Sequence, residues 1–138
     1  MLDGFNHVAI LTGDLERLEG FYRDVFDVAD VRRMDDHGLR HCLLRVGSSS
    51  VLHAFEQDAP APGPIFRRGR VDHLALNVAE RDEFDRLRRR LVDVGASTGD
   101  VTDFGVLLSV TFEDPDGMFC ELCWMRDGAT LADATDSA

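Results

Sequence analysis

The chain has 138 residues, 26 acidic and 15 basic, for a formal net charge of −11. Every basic residue is Arg, which removes Schiff-base chemistry and a phosphate-loop lysine. The acidic balance argues against a nucleic-acid partner, and no apolar run reaches membrane-spanning length. Three cysteines without an apolar leader are expected to be reduced thiols of a cytoplasmic protein.

In chain order, FNHVAIL (5–11) alternates and predicts a strand. GDLERLEGFYRDVFDV (13–28) predicts a helix capped by Asp14, with Leu15, Leu18, Tyr22, Val25 and Phe26 near helical spacing. Three strand-like stretches follow: ADVRRM, LRHCLLRVG and SSVLHAFE. Residues 57–69 hold three of the four prolines and predict a linker. The order then repeats. RVDHLALNV predicts a strand, and ERDEFDRLRRRLVDVG a helix with Phe84, Leu87, Leu91 and Val94 on one face and Gly95 as its stop. Three further extended stretches follow, the last after the turn DPDG (114–117). The tail, 127–138, is small and acidic.

The reading is α+β: two βαβββ modules in tandem, at 4–56 and 70–126, within one domain spanning 1–126. Corresponding positions of the modules carry similar chemistry. His7 and His73, in the predicted first strands, are 66 positions apart, and His53 and Glu121, in the last strands, are 68 apart. Strand alternation puts His73 with Ala75 and Asn77 on one face, while the apolar Leu74, Leu76 and Val78 cover the helix. The same rule turns His7, His53 and Glu121 to the face away from the helices. Three imidazoles and a carboxylate suit a borderline divalent metal. A lone strand histidine is more often a satisfied core group, and His53 carries the added ambiguity of a two-residue slip in register. Cys120 and Cys123 form a C-x-x-C, but i and i+3 on a strand point to opposite faces, so two ordinary buried thiols are expected. His41 is expected at the surface or in the core, with the cleft as its other place.

FNHVAIL, GFYRDVF, VDHLALNV and EDPDGMFCEL together resemble the vicinal oxygen chelate superfamily, which holds glyoxalase I, methylmalonyl-CoA epimerase, extradiol dioxygenases, and fosfomycin- and bleomycin-resistance proteins. The resemblance spans about residues 4–125. It implies paired modules curling into a half-barrel sheet around one divalent ion (Zn, Ni, Co, Mn or Fe(II)), with ligands at His7, His53, His73 and Glu121. It also implies a small oxygenated substrate and a homodimer. The position of His53 is a Glu in many glyoxalases, and Val28-Ala29 replaces a usual Leu-Gly. The expected function is a metal-dependent glyoxalase-like isomerase or lyase, with Glu121 and His53 as candidate catalytic groups stabilising an enolate or oxyanion. The alternatives are an Fe(II) extradiol dioxygenase and a ligand-binding resistance protein of the bleomycin-binding type. The dioxygenase reading lacks the acid–base His and the Tyr usual in the second module, with Phe112 near the Tyr position.

Overall fold

The computed structural model describes residues 5–58, 69 and 71–130. Its elements run β1 (Val8–Thr12), α1 (Leu15–Phe26), β2 (Val31–Asp36), β3 (Leu39–Arg45), β4 (Val51–Glu56), β5 (Leu74–Val78), α2 (Arg81–Asp93), β6 (Val101–Asp103), β7 (Leu107–Glu113) and β8 (Phe119–Met125). A single 3-10 turn, Arg126–Gly128, follows. This is the predicted α+β order of two βαβββ modules in tandem. The chain divides into two compact units, Met1–Ala61 and Pro62–Ala138. Most of the predicted linker (59–68) and of the predicted tail (131–138) lies outside the described residues.

In the first unit, α1 begins where predicted. Asp14 is extended and its carboxylate accepts the Arg17 N–H at 3.0 Å. A second carboxylate reaches the same end from β4: Glu56 Oε2 accepts the Leu15 N–H at 2.9 Å. The helix buries Leu15, Leu18, Tyr22 and Val25, each at most 1% exposed, which stabilises the unit by about 1.5–3 kcal/mol per side chain. Glu19 is buried among them, and Arg33 Nε meets its two oxygens at 2.9 and 2.8 Å.

The sheet under α1 has the order β1-β4-β3-β2, with β1 parallel to β4 and the other pairs antiparallel. Alternation divides it cleanly. Ile10, Thr12, Cys42, Leu44, Leu52 and Ala54 are buried on the helix side. Ala9, Leu43 and His53 lie in one row across the other face. The β2–β3 hairpin turns on His37 and Gly38, whose φ values of 55° and 90° are the left-handed pair of a tight two-residue turn.

The second unit repeats the plan, with sheet order β5-β8-β7-β6 and β5 parallel to β8. Helix α2 buries Phe84, Leu87 and Leu91. Val94, expected on that apolar face, is instead 56% exposed. The helix has already stopped at Asp93, and Gly95 at φ 74° turns the chain away while the Ala96 N–H bonds back to the Leu91 carbonyl at 2.8 Å. The DPDG turn forms as predicted. Asp114 Oδ1 accepts N–H groups of Asp116 and Met118, both at 2.9 Å, and delivers the chain into β8 in the register that sets Glu121 opposite Ala75 and Thr111.

Candidate metal centre

His7 and His73 stand one residue ahead of β1 and β5. Each has an acceptor immediately before it. His7 Nδ1 lies 2.8 Å from Asn6 Oδ1, and His73 Nδ1 lies 2.7 Å from Asp72 Oδ2. A neutral imidazole that donates from Nδ1 keeps its lone pair on Nε2. A ring that donates from Nδ1 in this way offers Nε2 to a metal and is held in orientation by its other nitrogen.

In the second unit that free nitrogen already faces a carboxylate. His73 Nε2 is 3.6 Å from Glu121 Oε1, with the two side chains 34% and 21% exposed. Donors held 2.0–2.2 Å from one tetrahedral ion stand about 3.3 Å apart, so the pair needs to close by only a few tenths of an ångström. The other oxygen of Glu121 is anchored: Oε2 accepts from Ser109 Oγ at 3.2 Å and from Cys123 Sγ at 3.7 Å. Phe119 sets its ring edge-on to His73, centroids 5.4 Å apart.

In the first unit His7 and His53 meet edge to face, centroids 5.8 Å apart. Burial first, then the neighbouring His41 and His7 rings, hold the His53 imidazole below its ordinary pKa. That favours the neutral form, the only one that coordinates. These two histidines line an open cleft of about 540 Å³, with Arg32, Arg45, Ser48 and Ser49 among its walls. Donors of this kind, neutral imidazole and one carboxylate, fit a borderline divalent cation.

The strand positions put His7 beside His53 and His73 beside Glu121. Sequence reading missed their supports. Asn6 and Asp72 were legible as the repeated pairs Asn6-His7 and Asp72-His73; Ser109 carried no signal of its own. His41 was expected at the surface or in the core. It is buried, and its Nδ1 is 2.8 Å from His53 Nε2. The C-x-x-C thiols behave as expected. Cys120 and Cys123 are free, buried and on opposite faces of β8, and burial pushes their pKa values up to about 12 and about 11. Another carboxylate group, Asp14, Glu16 and Glu56, brings its oxygens within 4.8 Å of one another. Its members are engaged in the fold: Asp14 and Glu56 bond to the start of α1, and Arg40 pairs with both Glu16 and Glu56.

Known proteins share this plan. Mitochondrial methylmalonyl-CoA epimerase of Mus musculus is 31% identical over 83 residues, 56% of this chain and 47% of that protein. The chain thus matches about half the length of that relative. A glyoxalase/bleomycin resistance protein/dioxygenase domain from Frankia sp. EAN1pec superposes with a TM-score of 0.73 at 25% identity, covering 94% of this chain and 96% of that one. A mutant of the fosfomycin resistance protein FosX from Listeria monocytogenes, complexed with Mn(II) and 1S,2S-dihydroxypropylphosphonic acid, superposes with a TM-score of 0.72 at 17% identity, covering 98% and 99%. Residues 4–122, almost the whole of both modules, match one family description. With its doubled βαβββ plan, the chain belongs to the glyoxalase/bleomycin resistance protein/dioxygenase superfamily.

Proposed function

We propose that this protein is a metal-dependent enzyme of the glyoxalase type, an isomerase or lyase that abstracts a proton next to a carbonyl of a small oxygenated substrate. Its candidate ligands to a divalent ion are His7 and His53 in the first unit and His73 and Glu121 in the second. The observation that carries the reading is His73 Nε2 poised 3.6 Å from Glu121 Oε1, each group held by a partner on its other side. When bound, the cation binds neighbouring substrate oxygens and stabilises negative charge developing on them.

The chain's own residues supply the rest. Ser109 and Cys123 hold Glu121 by Oε2, so Oε1 is the oxygen that would meet the cation, and it takes a proton only when released from it. His53, kept neutral largely by burial, is the second candidate base, a role open to it only once it has left the metal. An imidazole where many relatives carry a carboxylate makes the ligand set one unit more positive and favours an anionic substrate. Arg32 in the cleft beside His7 and His53 adds to that preference, while Arg45 there is paired with Asp30 of the same cleft at 3.4 Å. The match to a methylmalonyl-CoA epimerase supports proton abstraction over oxygen chemistry.

The test is exchange in D2O. Purified protein containing one divalent ion per chain is incubated with 2-branched acyl thioesters and with hemithioacetals, and loss of the α-proton signal is followed by NMR. Exchange that disappears in Glu121→Gln, or jointly in Glu121→Gln and His53→Gln, supports the reading. Oxygen uptake with a catechol, without α-proton exchange, overturns it in favour of ring cleavage.

A further inference from the structure

Behind His53 runs a chain of hydrogen bonds that the proposed chemistry does not use. Asp36 Oδ2 is 2.7 Å from His41 Nε2, and His41 Nδ1 is 2.8 Å from His53 Nε2. The His37-Gly38 turn makes the alignment possible. It pairs Asp36 with Leu39 and Met34 with His41, so Asp36 and His41 are diagonal neighbours on one face of the hairpin. On the next strand His41 pairs with Phe55, and Phe55 stacks under both rings, with centroids 5.2 Å from His41 and 4.2 Å from His53. His41 is only 5% exposed, whereas the Asp36 side chain is 72% exposed.

The direction of each bond follows from valence. An ionised carboxylate only accepts, so the proton between Asp36 and His41 sits on His41 Nε2. With His41 neutral, its one N–H is spent on Asp36 and its Nδ1 is a bare acceptor. His53 must then donate from Nε2, and its lone pair is left on Nδ1. We propose that His41, anchored by Asp36, is a positioning residue that fixes His53 in the Nε2–H tautomer. On the reading above that His53 is a metal ligand, on which this last step rests, the atom it offers is Nδ1. His7 and His73 are tied by Nδ1 and offer Nε2.

The experiment reads the tautomer without any metal. Long-range proton–nitrogen NMR of the ¹⁵N-histidine-labelled, metal-free chain at about pH 8, above the ordinary imidazole range, assigns the protonated nitrogen or nitrogens of each ring. The expected result is a protonated Nε2 at His53 in the parent, and in His41→Phe, which keeps a ring on Phe55, a mixture of both tautomers. Asp36→Ala moves His53 in the same direction. A protonated Nδ1 at His53 in the parent, or a tautomer unchanged in His41→Phe, overturns the proposal while leaving the metal reading untouched.

Zinc titration of the same sample separates the two ideas. A zinc-induced shift at His53 Nδ1 supports the ligand atom named here, and zinc affinity in His41→Phe is then lower by about 10–100-fold. A shift at Nε2 overturns it. Shifts at His7 and His73 with none at His53 remove His53 from the ligand set, and the metal-free tautomer result stands or falls by itself.

Discussion

Nε2 of His73 faces Oε1 of Glu121 across 3.6 Å, and each residue is fastened on its far side, His73 by Asp72 and Glu121 by Ser109. Two donors already turned toward one point need little reorganisation to bind a cation. Elemental analysis and competition with a chelator are therefore expected to show stoichiometric zinc, lost in His7→Ala, His73→Ala and Glu121→Gln. Full metal content in any of the three removes that residue from the ligand set.

Asp72→Ala is expected to leave the fold intact and to lower zinc affinity by about 10–100-fold, because His73 loses the acceptor that orients it. An unchanged dissociation constant would show that the preceding Asp does not hold the ring.

The three thiols give a prediction about pH. Burial raises Cys42 and Cys120 to about 12 and Cys123 to about 11, from an ordinary value of 9.0. Below pH 9 folded and unfolded thiols are both neutral, so that stabilising contribution is fully present. Above it the unfolded chain ionises first and binds fewer protons, so stability falls between pH 9 and 12. Denaturant midpoints measured across that range are expected to drop, and less so in Cys120→Ser. At pH 8 Ellman's reagent is expected to modify the native chain slowly and all three cysteines at once in denaturant.

Glu19 lies on the buried face of α1 and depends on Arg33 for its counter-charge. Arg33→Met leaves a carboxylate without its partner in the core, and thermal unfolding is expected to fall by several degrees. Replacing both, as Glu19→Leu with Arg33→Met, is expected to recover much of that loss. A double variant less stable than Arg33→Met alone would contradict the account.

We expect a homodimer, since in each four-stranded sheet the outer strands, β1 and β2 or β5 and β6, have one side without a strand of that sheet. Sedimentation at micromolar concentration that returns only monomer would contradict this.

The doubled plan was legible because each module repeats one hydrophobic rhythm: alternation at FNHVAIL and VDHLALNV, helical spacing in the segment that follows. Strand alternation is rigid, so the sides taken by His53 and Glu121 could be read directly. What could not be read was lateral. His41 and His53 meet because β3 and β4 pair in one register, and Asp36 joins them because a two-residue turn fixes another. Those are properties of pairs of strands, and one segment alone does not encode them. Val94 failed for a related reason: helical spacing continues through it, while the glycine after it ends the helix.

The parallel pairing of first and last strands sets the order in which each module can be completed. Ala9 waits for His53, 44 positions later, and Ala75 for Glu121, 46 positions later. As the chain leaves the ribosome, β1 is made well before the strand it docks on, and the local β2–β3 hairpin can form in the interval. Closing the long loop that brings β4 against β1 is expected to be slower than closing the hairpin. A nascent chain stopped ahead of β4 carries His7 without His53, so the paired imidazoles exist only in a finished module.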